Sequence, residues 1–185
     1  MKVEPLAIPE VLRLTPARHG DARGFLSETY RADRLRDAGI EASFVQDNHS
    51  LSRERHVVRG LHCQAPPHAQ GKLVRCVRGA IWDVAVDARR GSPTFGQHVA
   101  AELSAENWAQ LWVPPGFLHG FCTLLPDTEV LYKVSGGLYD RASERGVTWD
   151  DPDLAVAWPV PAGAAVLSDK DRALPRWADV PALFD

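Results

Sequence analysis

The sequence is poor in cysteine, in net charge and in long apolar runs, and each shortage excludes a class of protein. Its 185 residues contain three cysteines, Cys63, Cys76 and Cys122, and no two of them form a Cys-x-x-Cys pair. This pattern argues against a disulfide framework or a zinc knuckle and favours reduced thiols in the cytoplasm. The formal net charge of −3 argues against a broad nucleic-acid-binding surface.

Apolar runs are short throughout the chain. No segment reaches the roughly 18 consecutive apolar residues that a membrane-spanning helix needs, and residues 1–5 lack the apolar run of a signal peptide. We therefore expect a cytoplasmic protein without membrane contact. A chain of this length is typical of a single domain, here residues 1–185, that can bury roughly 70% of its unfolded surface.

Gly- and Pro-rich turn signals recur at short intervals and separate runs of β-branched and aromatic residues. Residues 81–87 alternate with a period of two, which is the strand pattern. Many short strands between such turns indicate a mainly β protein, an antiparallel sandwich or barrel. Strands are predicted at 73–77, 81–86, 111–113 and 130–134, and short helices at 31–38 and 175–180.

The most informative local pattern joins Arg59 and His62 with Lys72, ten residues further on. The spacing suits two adjacent strands that face one cavity. A guanidinium there can hold phosphate, an imidazole can accept a proton and an ammonium can stabilise an oxyanion. Together they describe a site that deprotonates carbon next to a carbonyl on an anionic substrate. The alternatives are a core or metal-binding histidine and a solvent-facing lysine.

Ten strings in order along the chain resemble the dTDP-4-dehydrorhamnose 3,5-epimerase family. They are residues 21–28 (DARGFLSE), 44–50 (FVQDNHS), 58–64 (VRGLHCQ), 70–75 (QGKLVR), 83–87 (DVAVD), 92–96 (SPTFG), 111–121 (LWVPPGFLHGF), 132–133 (YK), 149–152 (WDDP) and 167–171 (LSDKD). The resemblance covers roughly residues 4 to 175. It implies a cupin-type jelly-roll barrel with short peripheral helices, a homodimer, and no metal or redox cofactor.

The resemblance also implies the reaction and the residues that carry it out. The expected substrate is a dTDP-linked 4-keto-6-deoxyhexose, which is inverted at carbons 3 and 5 through enolate intermediates on the route to dTDP-L-rhamnose. His62 is then the base, Lys72 the oxyanion stabiliser and Tyr132 the acid on the opposite face of the sugar. Asp171 sets the tautomer of His62 and stabilises its charged form. Apart from the resemblance, Asp83 on the next predicted strand can orient Lys72 or His62, or can simply be solvated at the strand end.

Ten further residues match the family's substrate-binding positions. Arg59 is expected to grip the diphosphate through its planar fork, and His119 to help at the phosphate or the sugar. Arg23 and Glu28 are expected to recognise the nucleotide and can act across a dimer interface. The remaining members of the set are Gln46, Asp47, Asn48, Tyr139, Glu144 and Lys170.

The sequence departs from the family pattern at residues 136–140. Two adjacent tyrosines are expected near this place, but the chain has Gly136-Gly137-Leu138-Tyr139-Asp140 with one extra residue before Glu144. Whether both carbons or only one is inverted is therefore left open.

Two other classes of protein are rival interpretations. A metal-dependent cupin needs three or four ligands, whereas His62 and His119 are the plausible ones. A sugar-nucleotide-binding protein without turnover would not need the base, acid and lysine together.

Overall fold

The computed structural model describes residues 1–184, so Asp185, the last residue of the predicted domain, lies outside the described residues. The chain forms two facing antiparallel sheets and a small hairpin. The six-stranded sheet has the order β1-β2-β10-β7-β12-β5 and the five-stranded sheet the order β13-β6-β11-β8-β9. The prediction of a mainly antiparallel jelly-roll barrel with short helices is confirmed.

The strands of the six-stranded sheet are β1 (Lys2–Pro5), β2 (Leu12–Thr15), β5 (Phe44–Ser52), β7 (Gln70–Arg78), β10 (Gln110–Val113) and β12 (Thr128–Gly136). Those of the five-stranded sheet are β6 (Val58–Gln64), β8 (Ala80–Asp87), β9 (His98–Ser104), β11 (Phe117–Thr123) and β13 (Glu144–Gly146). The hairpin consists of β3 (His19–Asp21) and β4 (Gly24–Leu26). All four strands predicted from the sequence are present, each extended by one to four residues.

The main core lies between the two sheets. Val74, Leu111 and Val130 of the six-stranded sheet pack with Ile81 and Phe121 of the five-stranded sheet. A second cluster covers the outer face of the five-stranded sheet, where residues such as Leu154 and Leu183 of the C-terminal segment pack against β8. Strand β8 is therefore buried on both faces, which explains why apolar side chains occur on both of its sides.

The helices are short and peripheral. Helix α1 (Ala32–Asp37) falls within the predicted span and packs Leu35 into an apolar cluster on the outer face of the six-stranded sheet. The predicted helix at 175–180 is wrong, because only one 3₁₀ turn forms at Trp177–Asp179. Arg176 is extended before that turn, and the backbone N–H of Trp177 donates to Asp151 Oδ2 at 2.8 Å instead of continuing a helix.

Helix α2 (Asp169–Arg172) was not predicted. Its signal was present in the sequence, because Ser168 followed three residues later by Asp171 is the pattern of a helix N-cap. The Ser168 hydroxyl accepts from the backbone N–H of Asp171 at 3.1 Å. Within residues 1–184, no helix combines the length and apolar character needed to cross a membrane.

Candidate active site

A cavity of about 460 Å³ lies between the two sheets. Its walls come from both sheets, from β5, β7 and β12 on one side and from β6, β11 and β13 on the other, and the segment from Val166 to Asp171 closes a further side. Eight of the fourteen site residues predicted from the sequence line this cavity: Arg59, His62, Lys72, His119, Tyr132, Glu144, Lys170 and Asp171.

A β-bulge brings Arg59 and His62 to the same cavity. Side chains three positions apart on a regular strand point to opposite faces. Here the three steps from Arg59 to His62 lie opposite only two steps of β11, since His62 pairs with His119 and Arg59 with Phe121. Gly60 is the residue within the bulge, with a φ of +122° and no room for a Cβ, which would lie 2.6 Å from Gly120 Cα. Glycine is required there for both reasons.

The strand of Lys72 is not the neighbour of the strand that carries Arg59 and His62. Strand β7 belongs to the six-stranded sheet and β6 to the five-stranded sheet. The prediction that one cavity collects the three side chains is confirmed, but the prediction that the strands are adjacent is wrong. Lys72 therefore faces Arg59 and His62 across the cavity.

His62 and Asp171 form a short hydrogen bond that joins strand β6 to helix α2. His62 Nε2 donates to Asp171 Oδ1 at 2.6 Å, and the Asp171 side chain is only 6% exposed. A carboxylate accepts, so the proton of neutral His62 lies on Nε2 and the other ring nitrogen keeps its lone pair. Burial raises the pKa of Asp171, but the hydrogen bonds from His62 and Ser168 and the nearby positive charge together bring the pKa below its usual value. The pair is arranged as a base with an ionised orienting acid.

A second histidine–aspartate pair lies beside the first, because His119 is the cross-strand neighbour of His62. His119 Nε2 donates to Asp83 Oδ1 at 2.6 Å, and both side chains are buried. Burial lowers the pKa of His119, and the charge of Asp83 only partly opposes this. His119 is therefore neutral near pH 7. The sequence suggests Lys72 or His62 as the partner of Asp83, whereas the hydrogen bond goes to His119.

Lys72 occupies an inward position of β7. It shares a face with Val74 and Cys76, both of which belong to the main core, because residues two apart on a strand point to the same side. Burial lowers the pKa of the Lys72 ammonium, and nearby acidic groups partly restore it. A cationic group at an inward strand position is costly to bury, which separates Lys72 from the ordinary solvent-facing lysine.

Tyr132 projects from the opposite sheet to that of His62. It lies on β12, where it pairs with Asn48 of β5 and Val74 of β7. Burial raises the pKa of its phenol, although a hydrogen bond with Asn48 and the charge of Arg59 partly oppose this. The phenol is therefore protonated at neutral pH and available as a proton donor.

Charged and phenolic groups link up at the cavity rim. Glu144 accepts from the Lys170 ammonium through Oε1 and from the Tyr139 hydroxyl through Oε2, the latter at 3.1 Å. Although burial raises the pKa of Glu144, the bond and charge of Lys170, together with the bond from Tyr139, bring the pKa below its usual value. Tyr139 itself is 54% exposed. The segment that departs from the family pattern, residues 136–140, thus contains a tyrosine that is hydrogen-bonded to a cavity residue, Glu144.

Arg59 lines the cavity and is hydrogen-bonded to edge strand β5, which also carries Gln46, Asp47 and Asn48 outside the cavity lining. Arg59 donates from Nε to Ser52 Oγ and from Nη2 to the Leu51 carbonyl, both at 3.2 Å. Gln46 Nε2 donates to Asn48 Oδ1 at 3.0 Å. Asp47 points to the other face of the sheet, where it forms an ion pair with Lys133 at 3.0 Å.

Arg23 and Glu28 lie outside the cavity of their own chain. Arg23, at the turn of the β3–β4 hairpin, pairs with Asp21, and Glu28 pairs with Arg31 at 3.4 Å. Neither side chain lines the cavity. The fold therefore brings most of the predicted site residues together but leaves Arg23 on the β3–β4 hairpin and Glu28 just after it.

Among residues 1–184, no group of three His, Cys, Asp or Glu side chains is arranged to hold a metal ion. His62 and His119, the two candidate ligands in the sequence, are each hydrogen-bonded to an aspartate instead.

The family model described as dTDP-4-dehydrorhamnose 3,5-epimerase matches residues 5–179. A dTDP-4-dehydrorhamnose 3,5-epimerase of Sinorhizobium fredii is 50% identical over 184 residues, covering 100% of this chain and 93% of the relative. A solved dTDP-6-deoxy-D-glucose-3,5-epimerase of Legionella pneumophila, in complex with dTDP-4-keto-L-rhamnose, is 42% identical with a TM-score of 0.92; the match covers 98% of this chain and 95% of that one. A dTDP-4-dehydrorhamnose 3-epimerase of Streptomyces niveus is 40% identical over 173 residues, 93% of this chain and 82% of the relative.

The fold, the cavity and these similarities together define an isomerase with a cupin-type jelly roll. The chain belongs to the dTDP-4-dehydrorhamnose 3,5-epimerase family. The family resemblance stated from the sequence motifs is confirmed.

Proposed function

We propose that this chain converts dTDP-4-dehydro-6-deoxy-D-glucose to dTDP-4-dehydro-L-rhamnose by inverting carbons 3 and 5, without a metal or redox cofactor. One observation carries the proposal: His62 and Tyr132 project from opposite sheets into one cavity, with Lys72 beside them. Inversion at a carbon next to a ketone needs a base on one face of the sugar and an acid on the other, and this cavity supplies both.

The proposed steps conserve protons and electrons. His62 removes the hydrogen from the carbon next to the C4 ketone, and the electron pair of that bond forms the enolate, with negative charge on the C4 oxygen. The Lys72 ammonium stabilises that oxygen. Tyr132 then delivers its proton to the opposite face of the carbon and the ketone re-forms. The imidazolium and the phenolate exchange their protons through water before the second carbon reacts. Asp171 stabilises the imidazolium in between.

The remaining cavity residues are assigned to binding. Arg59 holds the diphosphate through its planar guanidinium. Its hydrogen bonds to Ser52 and the Leu51 carbonyl fix the guanidinium at the cavity wall. Glu144, Lys170 and Tyr139 contact the substrate at the rim, and His119 contacts the sugar. Gln46 and Asn48 are assigned to the nucleotide, whereas Asp47 points to the other face of the sheet and pairs with Lys133.

We further propose a cytoplasmic homodimer in which Arg23 and Glu28 reach the cavity of the partner. Arg23 lies on the β3–β4 hairpin and Glu28 two residues after it, and Phe25 and Leu26 of β4 are 57% and 73% exposed. Large exposed apolar side chains at this place favour an interface. Light scattering would give the mass. Coexpression of Arg23→Ala with His62→Ala chains tests the exchange of residues, because one site of each mixed dimer would be complete if Arg23 acts across the interface. No recovery of activity in a verified mixed dimer would contradict it.

The reaction itself is tested by incubation with dTDP-4-keto-6-deoxyglucose in D₂O after treatment with EDTA, with the sugar hydrogens followed by NMR. We expect loss of signal at both carbons 3 and 5. Loss at one carbon would replace the proposal with a single-site epimerase and direct attention to Tyr139. Absence of exchange would contradict the proposal; restoration by added metal would then favour a metal-dependent enzyme, and no restoration a binding protein or another keto sugar.

A phenylalanine variant isolates the role of Tyr132. In Tyr132→Phe, His62 can still remove a hydrogen and return deuterium to the same face, so we expect exchange to continue while inversion is lost. Tyr30→Phe is the matched control, because Tyr30 lies outside the main cavity. Normal inversion by Tyr132→Phe would exclude Tyr132 as the acid.

A further inference from the structure

Asp83 is a buried carboxylate that is hydrogen-bonded at only one of its two oxygens. Its side chain is 0% exposed, and Oδ1 accepts from His119 at 2.6 Å. Within residues 1–184, Oδ2 is buried and has no hydrogen-bond partner. Buried polar atoms are nearly always satisfied, because an unsatisfied one costs roughly 1–3 kcal/mol and more when it is charged. The bare oxygen therefore requires an explanation.

The Lys72 ammonium, at an inward position of β7, is stabilised by negative charge nearby. Three acidic groups on strands of the facing sheet influence its pKa: Cys63 of β6, Asp83 of β8 and Glu144 of β13. Burial raises the pKa of the Cys63 thiol to about 11, so this group is neutral near pH 7. Glu144 is already paired with Lys170. By elimination, Asp83 is the carboxylate among the three that has no cation of its own.

The other titratable groups that face the cavity do not change this result. His119 of β11 is neutral near pH 7, so it leaves the charge of Asp83 uncompensated. Asp171 of α2 is hydrogen-bonded to His62 of β6. Tyr132 of β12 is a protonated phenol.

We propose that Asp83 is a positioning residue for Lys72: the negative charge of its carboxylate, which no cation of its own neutralises, favours the charged form of the lysine on the facing sheet. His119 holds the carboxylate in place through Oδ1. This inference rests on the proposed function, because it explains how the group assigned to the enolate oxygen is kept in the form that can stabilise it. Asp83 acts through Lys72 and does not contact the substrate.

A titration of Lys72 tests the inference without any need for turnover. The chain has four lysines, Lys2, Lys72, Lys133 and Lys170, so the signals of ¹⁵N-labelled lysine can be assigned by substitution. Asp83→Asn keeps an acceptor for His119 but removes the charge. We expect the titration midpoint of Lys72 to fall by about one pH unit or more, the size of effect typical of a nearby opposite charge.

The matched control is Asp87→Asn. Asp87 lies on the same strand and is equally buried, but its partners are Arg89, Ser92 and Thr94, outside the cavity. The midpoint of Lys72 should stay at its wild-type value in this variant. Equal midpoints in the wild type, Asp83→Asn and Asp87→Asn would overturn the inference. If Asp83→Asn does not fold, Asp83→Ser removes the same charge and carries the same expectation.

An activity profile separates the two proposals. If wild-type protein epimerises the substrate, the alkaline limb of its kcat/KM profile should move to lower pH in Asp83→Asn and not in Asp87→Asn. A limb that lies lower by about one pH unit makes the variant about tenfold less active than the wild type at higher pH. An unmoved limb would count against the inference alone. An inactive wild type would overturn the proposed function, while the Lys72 titration would still decide the charge relation.

Discussion

Asp83 and Asp87 lie four residues apart on strand β8, and both side chains are 0% exposed. Asp87 accepts from Arg89 through both oxygens, at 2.9 and 2.8 Å, and from Ser92 and Thr94. Asp83 accepts from His119 alone and leaves one oxygen bare. The Asp87 carboxylate is therefore hydrogen-bonded at both oxygens by residues of its own loop, whereas the Asp83 carboxylate, near the cavity, is hydrogen-bonded at one oxygen only.

The number of hydrogen bonds to a buried carboxylate thus helps to distinguish a group that stabilises the fold from one that acts in the site. A carboxylate saturated by local donors gains most of its stabilisation from the native structure itself. One that is only partly satisfied costs stability, and such costs are typical of functional sites. We therefore expect substitutions near Asp87 to change stability and substitutions near Asp83 to change catalysis. The predictions that follow test this division.

The largest effect is expected for the loss of His62 in the cavity. His62→Ala removes the proposed base, and the rate of epimerisation and of hydrogen exchange should fall by about 10²–10⁴-fold, the usual contribution of a general base. Binding of dTDP, measured by calorimetry, should stay near its wild-type strength. Exchange at close to the wild-type rate would contradict the assignment.

Asp171→Asn should have the next largest effect. The amide can still accept from His62, but it lacks the negative charge that stabilises an imidazolium. Loss of a charged hydrogen bond worth about 1.5–3 kcal/mol corresponds to a decrease in kcat of about 10- to 150-fold. Steady-state kinetics would measure it. A normal kcat combined with lower thermal stability would instead place Asp171 with the structural carboxylates.

Asp87→Asn should reverse the pattern. Loss of the charge weakens several hydrogen bonds at once, and we expect the free energy of unfolding in urea at pH 7 to fall by about 2 kcal/mol. The kcat per folded molecule should be unchanged. A lower kcat in fully folded Asp87→Asn protein would contradict the assignment of Asp87 to stability and Asp83 to catalysis.

The pH dependence of stability should come partly from Asp87. Burial raises the pKa of Asp87, but the bonds from Arg89, Ser92 and Thr94 lower it to about 2. Because the folded pKa is below the unfolded value, the stabilisation is complete above about pH 4 and is lost as the pH falls toward 2. Urea titrations of the wild type and Asp87→Asn should converge by about 2 kcal/mol over that interval. Parallel curves would show that Asp87 is not the source.

The smallest effect is expected at the rim. Tyr139 is hydrogen-bonded to Glu144 but exposed, so it tests whether a satisfied polar group can still serve the site. Tyr139→Phe should raise KM by about threefold, the effect of one modest hydrogen bond, with stability unchanged. Tyr30→Phe is the control. A lower melting temperature with an unchanged KM would place the bond to Glu144 with the structural contacts.

Much of the fold was predictable because its signals are local. The period-two pattern of residues 81–87 and the Gly and Pro turns were enough to indicate β8 and its class of fold. The helix at 175–180 could not be judged from composition, because the extended conformation of Arg176 and a contact with Asp151 decide it. Helix α2 was missed although its N-cap pattern was present, since four residues carry almost no periodicity.

The chemical groups of the site, with Arg59, His62 and Lys72 among them, and the ordered strings that mark the family are visible in the amino-acid sequence alone. How these groups meet follows from the fold. The bulge at Gly60 turns Arg59 and His62 to one face, although their spacing in a regular strand would separate them. Asp171 reaches His62 across 109 positions of sequence. Such contacts depend on strand order and register, which are set by packing between the two sheets and not by any local pattern.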